Sequence, residues 1–306
     1  MISKSDSILI VGGGSIGERH IGNLQSLGYS NIYVLRTRNL PFRLVDAKTV
    51  NQIFTWEEAE SIKPKASFIC TPTSLHLEQA IKSAEIGSHI FIEKPISHNL
   101  LNISKLKEMV EAKNLFCFIG YMMRYHPLIK QMKEIIEAKT YGNLLSFHSH
   151  WGEYLPDWHP WEDYREGYAA RKELGGGAAL TLSHDLDLMF WLSDSNLKRH
   201  FMISNKKSQL EVTAEAGADF LLELENGTTG HVHLNYFQRP SQRQTTLIFD
   251  TATLHFDYYL SSLEIKTKES IQKTEDPNFD RNQLFISELQ DFFMKCDNFS
   301  IFQRYG

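Results

Sequence analysis

Short apolar runs alternate with amphipathic segments over the first 120 residues. The runs are rich in Ile, Val and Phe and predict strands at 8–11, 31–35, 66–70, 89–93 and 115–120. Segments between them, such as 76–87 and 100–114, repeat apolar residues at three and four positions, which predicts helices. Apolar strands separated by helices are typical of a parallel sheet covered on both faces. The pattern therefore predicts a doubly wound α/β (Rossmann-type) domain.

The pattern changes after residue 121. A helical segment at 126–139 leads to long strand-like runs with no helix between them, at 211–224, 228–237, 244–250 and 252–259. Strands joined by turns such as 225–228 favour a mainly antiparallel sheet. We therefore predict two domains, residues 1–121 and an α+β domain of residues 122–306 with an open sheet.

Composition narrows the choice of partner. The chain has 306 residues, of which 42% are hydrophobic and 23% charged, and a net charge of −5. That balance gives no general affinity for nucleic acid or an anionic membrane, and no apolar run reaches the length of a membrane span. The three scattered cysteines are typical of a reducing compartment. The sequence predicts a cytoplasmic protein that acts on a small molecule.

A glycine motif follows the first predicted strand and opens the first predicted helix. Gly12, Gly14 and Gly17 form G-x-G-x-x-G, with Ser15 and Ile16 between them. Such glycines permit a tight turn, close approach of a pyrophosphate and tight packing of the helix on the strand. The alternative is a chance glycine turn, but the strand and helix around the motif favour dinucleotide binding.

The end of the second predicted strand bears on cofactor preference. Sites that prefer NAD carry Asp or Glu there, whereas this chain has Arg36, Thr37 and Arg38. Guanidinium and hydroxyl groups suit a 2′-phosphate. The sequence therefore predicts NADP, with NAD possible, and the alternative is that both arginines are solvated loop charges.

Two further strands end in polar residues. Ligands of doubly wound sheets bind beyond the carboxyl ends of the strands. We therefore expect cofactor contacts beside the nicotinamide from Thr71, Pro72, His76, Glu93 and Lys94. The alternative for Lys94 is a solvated surface lysine.

These residues carry a family resemblance. The T-P-x-x-x-H run from Thr71 and the later E-K-P at 93–95 resemble the signature of the glucose-fructose oxidoreductase and inositol dehydrogenase (Gfo/Idh/MocA) family. The family resemblance implies that Lys94 reaches both nicotinamide and substrate hydroxyl, where an ammonium stabilises a developing alkoxide. Residues 158–177 and 234–243 look most like members of the family from bacterial surface-sugar pathways.

The resemblance continues into the second domain. Residues 174–192 resemble the family's glycine-rich loop and H-x-x-D helix, which implies that His184 is a proton relay. Asp187 lies three residues later and is predicted to orient the imidazole. Many members carry an acidic residue one turn before the histidine, whereas here Leu180 and Thr181 stand there, and Thr181 is expected to donate a hydrogen bond. The alternative is a core histidine.

Aromatic residues and arginines are interleaved between 151 and 172. Aromatic faces suit sugar rings, and arginines suit carboxylate or phosphate. Together with the resemblance, this predicts a sugar acid or nucleotide sugar bound by Arg124, Tyr154, Trp158, Arg165, Thr181, Asp187 and Arg239, and Arg243 is a further candidate for the anionic group. The alternative is that the aromatic residues fix a long loop or an oligomer contact.

Two histidine pairs, at 148 and 150 and at 231 and 233, raise the possibility of a metal site. Each pair lies on one face of a predicted strand, but no acidic or cysteine ligand accompanies it in the sequence. The pattern favours polar residues on a sheet face, and we predict no metal.

These features predict an NADP-dependent oxidoreductase acting on a secondary alcohol or ketone of a sugar-like substrate. The resemblance implies a homodimer or homotetramer formed through the open sheet. A redox-neutral epimerase or eliminase with bound cofactor, and an inactive NADP-binding regulator, remain alternatives. The resemblance extends from about Ile8 to Asn298.

Overall fold

A computed structural model describes residues 2–37 and 41–302 of the chain. The chain divides into two compact units. The first contains residues up to 120 together with the helix that begins at Asn282, and the second contains residues Tyr121–Arg281.

The first unit is built on a six-stranded parallel sheet with the order β3-β2-β1-β4-β5-β6. Its strands are β1 (Ile8–Val11), β2 (Ile32–Leu35), β3 (Asn51–Ile53), β4 (Ala66–Ile69), β5 (His89–Glu93) and β6 (Cys117–Gly120). The connecting helices are α1 (Ser15–Ser26), α2 (Trp56–Ile62), α3 (His76–Glu85) and α4 (Ile103–Ala112). The predicted doubly wound sheet is confirmed. The three-residue strand β3 was not predicted, because only Ile53 of its residues is buried.

Each face of this sheet has its own apolar core. On one face, the side chains of β1, β4 and β5 pack with Ile21 and Leu24 of α1. On the other face, the alternate side chains pack with Leu77 and Ile81 of α3 and with Leu106 of α4. The strands read as continuous apolar runs because helices cover both faces.

The last helix, α8 (Asn282–Phe302), belongs to the first unit. Leu289, Phe292, Phe293 and Cys296 lie in the same core as α1. The predicted division placed this helix in the second domain. Its pattern of apolar residues marks an amphipathic helix but does not specify which sheet the apolar face covers, so its location could not be derived from the sequence.

The second unit begins with α5 (Pro127–Glu137) and contains an eight-stranded sheet with the order β14-β13-β12-β11-β7-β10-β9-β8. The strands are β7 (Leu144–Tyr154), β8 (Leu197–Asn205), β9 (Gly217–Leu224), β10 (Thr229–Asn235), β11 (Phe237–Phe249), β12 (Ala252–Asp257), β13 (Ser262–Thr267) and β14 (Ile271–Glu275). All neighbours are antiparallel except β7 and β10, which are parallel. The mainly antiparallel prediction is confirmed, but residues 211–216 do not extend β9.

Two helices, α6 (Ala178–Thr181) and α7 (His184–Ser193), lie between β7 and β8 in the chain. Helix α7 packs on β7 and β10, and α5 packs on α7 and β12. In residues 2–37 and 41–302, no helix combines the length and the apolar character that crossing a membrane requires.

Candidate functional site

The glycine loop after β1 has the steric properties of a pyrophosphate cradle. Gly12 has φ +104°, and a Cβ there would lie 2.9 Å from the carbonyl oxygen of Cys70. A Cβ on Gly17 would lie 2.1 Å from the carbonyl oxygen of Gly12, so only glycine fits. At Gly14, the N-cap of α1, a Cβ would have no neighbour within 4 Å, so the backbone is open to approach. Ser15 is exposed at the first position of α1, where backbone N–H groups favour an anion. Next to it, Ile16 packs against the core.

The residues after β2 lie against this loop. Arg36 is 7% exposed, and its Nη1 donates to Oε1 of Gln52 at 2.8 Å. Its guanidinium lies 4.3 Å from the ring centre of Phe42, and a Cβ on Gly13 would lie 3.1 Å from its Nε. Thr37 is exposed, whereas the predicted contact by Arg38 lies outside the described residues. The alternative that Arg36 is a solvated loop charge is therefore excluded, because the side chain is buried at the edge of the glycine loop.

A carboxylate that the sequence analysis missed secures the segment after β2. Glu18 of α1 is 5% exposed, and its Oε2 accepts the backbone N–H groups of Arg43, Leu44 and Val45 at 2.9, 2.6 and 3.2 Å. Three amides on one carboxylate oxygen tie the segment to α1, and hydrogen bonds to a charged acceptor are the stronger kind. An acidic residue in the first turn of a helix is common, so its position alone did not reveal these partners.

The loops after β4 and β5 are joined by one buried imidazole. His76 is 1% exposed, with its Nδ1 2.8 Å from the carbonyl oxygen of Pro95 and its Nε2 2.8 Å from that of Thr71. Thr71 also donates its hydroxyl to Gln79, and Pro72, which is partly buried, caps the turn that precedes α3. A neutral imidazole donates to one of the two carbonyls, whereas an imidazolium would donate to both.

Burial lowers the pKa of His76, although the two carbonyl oxygens and the charge of Glu93 oppose the shift. His76 therefore belongs to the scaffold that joins the strand ends, and none of its ring nitrogens is left to contact a ligand.

The E-K-P corner follows β5. Glu93 ends the strand at 8% exposure, and its Oε1 lies 2.7 Å from Nε2 of His20 in α1. Burial favours a higher pKa for the Glu93 carboxyl, but the hydrogen bond from His20 and the charges of His20 and Lys94 outweigh it, so the pKa is lowered. Lys94 is partly buried, and the Lys94–Pro95 peptide bond is cis. The predicted cofactor contact by Glu93 gives way to a buried bond with His20, a residue for which the sequence suggested no partner.

In the second unit, His184 begins α7 and is 4% exposed. Its ring meets the ring of Tyr121 edge to face at 5.6 Å and lies 6.0 Å from the ring of Trp151.

Asp187 pairs with Arg124, whereas it was predicted to orient the His184 imidazole. Both of its carboxylate oxygens accept from Arg124, one of them from Nε at 2.8 Å, so the two expected substrate ligands neutralise each other. Burial raises the pKa of Asp187, and Arg124 opposes the shift.

The residue that anchors the start of α7 is Asp185. It is fully buried and accepts from Nη2 of Arg243 at 2.6 Å and from the Ser149 hydroxyl at 2.5 Å. The Arg243 guanidinium, 3% exposed, lies 3.8 Å from the ring centre of Trp151. These bonds tie α7 to β7 and β11 next to His184. They also contradict the expectation that Arg243 binds an anionic substrate group.

Three further substrate candidates contact other parts of the protein. Arg165 is exposed, and its guanidinium pairs with the carboxylates of Asp163 at 2.7 Å and Glu211 at 3.2 Å. Thr181 is 3% exposed in the interior, and Trp158 is partly buried with its ring edge to face with that of Tyr236 at 5.5 Å. Arg165 therefore lies beside two carboxylates, and Trp158 packs on Tyr236. Thr181 forms a side-chain hydrogen bond with the same tyrosine. The substrate contacts of these three residues stay predictions.

Tyr154 and Arg239 remain as candidates for a ligand. The Arg239 guanidinium is exposed and lies 3.7 Å from the ring centre of Tyr154. Arg239 forms no ion pair within residues 2–37 and 41–302. An arginine with its face on an aromatic ring keeps its N–H edge available to an anion.

The two histidine pairs lie on neighbouring strands. His148 is opposite His231 and His150 is opposite His233 across the parallel pair β7 and β10. Asp219 of β9 lies 3.2 Å from His231 and 2.7 Å from His233. In the part of the chain that the structure describes, no three His, Cys, Asp or Glu residues are arranged to hold a metal ion.

Comparison with known proteins identifies the family. Residues 7–121 match "Oxidoreductase family, NAD-binding Rossmann fold", and residues 129–255 match "GFO/IDH/MocA C-terminal domain". The rhizopine catabolism protein MocA of Rhizobium meliloti is 26% identical over 251 residues, which cover 79% of this chain and 75% of that protein. Levoglucosan dehydrogenase of Pseudarthrobacter phenanthrenivorans is 32% identical over 126 residues, 40% of this chain and 32% of that relative.

Solved structures share the fold. A levoglucosan dehydrogenase in complex with NADH superposes with a TM-score of 0.81 at 17% identity, covering 95% of this chain and 89% of the other. UDP-N-acetylglucosamine 3-dehydrogenase GnnA from Acidithiobacillus ferrooxidans gives 0.75 at 17% identity, covering 96% and 89%. Matches to both domains of one family account for most of the chain. The protein therefore belongs to the Gfo/Idh/MocA family of oxidoreductases with an NAD-binding Rossmann domain.

Proposed function

We propose that the protein oxidises a secondary alcohol, or reduces the corresponding ketone, of a sugar-like substrate with NAD(P), and that Lys94 relays the proton. The main supporting observation lies in the first unit. The glycine loop follows β1 and the Lys94 corner follows β5, at the same carboxyl edge of the sheet and on the two sides of β4. Dinucleotides bind across this edge where the strand order reverses, which here is between β1 and β4.

The chemistry of alcohol oxidation gives Lys94 its role. A carbinol must lose a proton from oxygen as well as a hydride from carbon. The bound nicotinamide supplies or accepts the hydride. The Lys94 amine would hold the hydroxyl proton or release it, and in its charged form it would stabilise negative charge on the substrate oxygen.

His184 is the second proposed acid–base group. Its position at the start of α7 is fixed by the neighbouring bonds of Asp185, and the rings of Tyr121 and Trp151 pack against it. The neutral imidazole would accept the hydroxyl proton, and the imidazolium would return it in the reverse reaction.

Substrate class follows from Arg239 and Tyr154. An exposed guanidinium stacked on an aromatic ring suits a carboxylate or phosphate attached to a sugar. Among the related structures, one is of a UDP-N-acetylglucosamine 3-dehydrogenase and another is a complex of a dehydrogenase with levoglucosan. A sugar acid or nucleotide sugar is the proposed substrate class for this chain.

Cofactor preference is proposed to be NADP. Arg36 and Thr37 follow β2, where a carboxylate would repel a 2′-phosphate, and Arg36 lies at the edge of the glycine loop. The levoglucosan dehydrogenase structure is a complex with NADH, and a relative from Haloarcula marismortui is named as an NADP-dependent D-xylose 1-dehydrogenase.

We also propose that the protein forms a homodimer or homotetramer.

The test is a panel of sugar acids and nucleotide sugars with NADP or NAD, read by the absorbance of reduced nicotinamide. With the substrate found, Lys94→Ala should lower kcat by roughly 10²- to 10⁴-fold, whereas the affinity for the cofactor should change little. Lys94→Arg is the matched control that keeps the charge. Full turnover by Lys94→Ala would refute the mechanism. Conversion of a sugar without net change in the cofactor would indicate a redox-neutral reaction instead.

A further inference from the structure

We propose that two buried histidines, His20 and His76, are positioning residues that hold Lys94 for proton transfer. The proposal rests on the proposed function, in which Lys94 is the proton relay. The residues on both sides of Lys94 are each bonded to a histidine. Glu93 is bonded to His20, and the carbonyl oxygen of Pro95 is bonded to His76.

The two histidines approach the corner from opposite faces of the sheet. His20 lies in α1, which packs on one face, and His76 begins α3, which packs on the other. They are 0% and 1% exposed. Lys94 is therefore the central residue of a three-residue corner whose two ends are tied to two different helices. Such a restraint limits the positions that the lysine backbone can adopt.

The surroundings of His20 indicate that the bond to Glu93 is its main polar interaction. The imidazole lies 5.7 Å from the ring of Phe68, 5.2 Å from that of Phe91 and 6.1 Å from that of Phe285. Its Nδ1 has no hydrogen-bond partner in residues 2–37 and 41–302. A site lined by phenylalanines would hold an apolar side chain without that unsatisfied nitrogen.

Stability alone does not explain such a pair. Replacement of a buried polar or ionic pair by apolar residues is often neutral or stabilising, because both desolvation costs disappear. What the pair provides is an ionised carboxylate at a fixed place, one residue from Lys94. The charged or titratable groups that act on Glu93 are His20, Lys94 and His76, and the buried thiol of Cys70 is affected by Glu93 in turn. A fixed negative charge favours the protonated amine.

The test compares the double variant His20→Leu/Glu93→Leu with a matched control, Ser67→Ala/Ser88→Ala. The serines form a buried hydrogen bond of 2.8 Å between β4 and the residue before β5, at the other end of the same strands. Both double variants remove a buried side-chain hydrogen bond, and the serine control also removes the bond from the Ser88 hydroxyl to the His89 carbonyl oxygen at 3.2 Å. His20→Gln keeps a donor for Glu93 and should restore part of any loss. His76→Leu tests the other side of the corner independently.

Two readouts are used, and only one requires turnover. The first is kcat and KM with the substrate found above. The second is the pH titration of Lys94 labelled as ¹³C-dimethyl-lysine, followed by NMR and assigned with Lys94→Arg. We expect the histidine–glutamate double variant to lower kcat by roughly ten- to a hundredfold with little change in KM. We expect its Lys94 resonance to titrate at a lower pH, because the Glu93 carboxylate lost is on the residue next to Lys94, whereas the His20 imidazole lost with it lies on the far side of that carboxylate. The serine control should change neither readout.

The outcomes separate the two proposals. An unchanged Lys94 titration and an unchanged kcat in the histidine–glutamate double variant would overturn the positioning role and leave the oxidoreductase function intact. Absence of turnover by the wild-type protein over the whole panel would refute the proposed function. The NMR titration would still decide the positioning role. If the double variant does not fold, the same titration in Glu93→Gln decides it, since that variant removes the charge and keeps a hydrogen-bond partner for His20. An unchanged Lys94 titration in Glu93→Gln would overturn the positioning role.

Discussion

His126 shows how strongly burial controls a single residue. It is fully buried, and its Nδ1 accepts the backbone N–H of Leu128 at 3.2 Å as the N-cap of α5. Its ring packs against those of Phe256 and Phe279. Burial lowers the pKa of His126 to about 4, and the charge of Arg243 acts in the same direction.

A pH dependence of stability follows from this shift. The unfolded chain binds a proton at His126 near pH 6.5, whereas the folded protein does so only near pH 4. Its contribution is therefore present above about pH 6.5 and is lost as pH falls towards 4, by up to about 3 kcal/mol. In urea unfolding at several pH values, His126→Asn should show a shallower fall in the free energy of unfolding. His200→Asn, on the exposed strand β8, should keep the wild-type slope. Equal slopes for all three proteins would refute the assignment.

The sequence indicates the turn at the glycine loop and the end of β5 at the E-K-P corner, because turn geometry and strand ends are local properties. Partners across elements could not be derived: Glu93 bonds to a residue 73 positions away, and Asp185 to one 58 positions away. For the same reason Asp187 was assigned to its neighbour on the helix, although Arg124 of another element holds it.

At the level of elements, α8 supplies much of the aromatic core of the first unit. Phe292 is fully buried, and its ring lies 5.4 Å from that of Phe68 and 5.6 Å from that of Phe91. We expect Phe292→Ala to lower the free energy of unfolding by about 3–5 kcal/mol, measured by urea unfolding. Met294→Ala on the same helix is the control, because Met294 is 54% exposed and should contribute less than about 0.5 kcal/mol. A loss no larger than that of the control would mean that α8 is not part of this core.

Most elements were predictable because the spacing of apolar residues along a strand or helix depends on which of its faces is buried. The continuous runs of β1, β4 and β5 and the helical period of α5 have this origin. The parallel pairing of β7 with β10 was not predictable, since alternation of apolar and polar residues is the same for both strand directions.

At the scale of the whole molecule, the open face of the second unit's sheet carries exposed apolar side chains. On the open face of the second unit's sheet, Phe201, Ile203 and Leu221 lie side by side on β8 and β9, with exposed fractions of 60%, 55% and 55%. Alternate residues of β9, such as Leu222, are buried on the opposite face. Exposed apolar side chains clustered on one face are typical of a surface that binds another protein. This face is therefore the proposed contact between copies of the chain.

A charge placed on this face should separate the copies. We expect sedimentation of the wild-type protein to give the mass of two or four chains, and Leu221→Glu to give half of that mass, because a buried unpaired carboxylate costs several kcal/mol per interface. Leu100→Glu is the matched control. That leucine is 86% exposed and belongs to the first unit, whereas the proposed contact is on the sheet of the second unit, so the assembly should persist. A wild-type protein with the mass of one chain at all concentrations would refute the oligomer. An unchanged mass in Leu221→Glu would place the contact on another surface, because a carboxylate in a dry interface of apolar side chains has no partner to neutralise it.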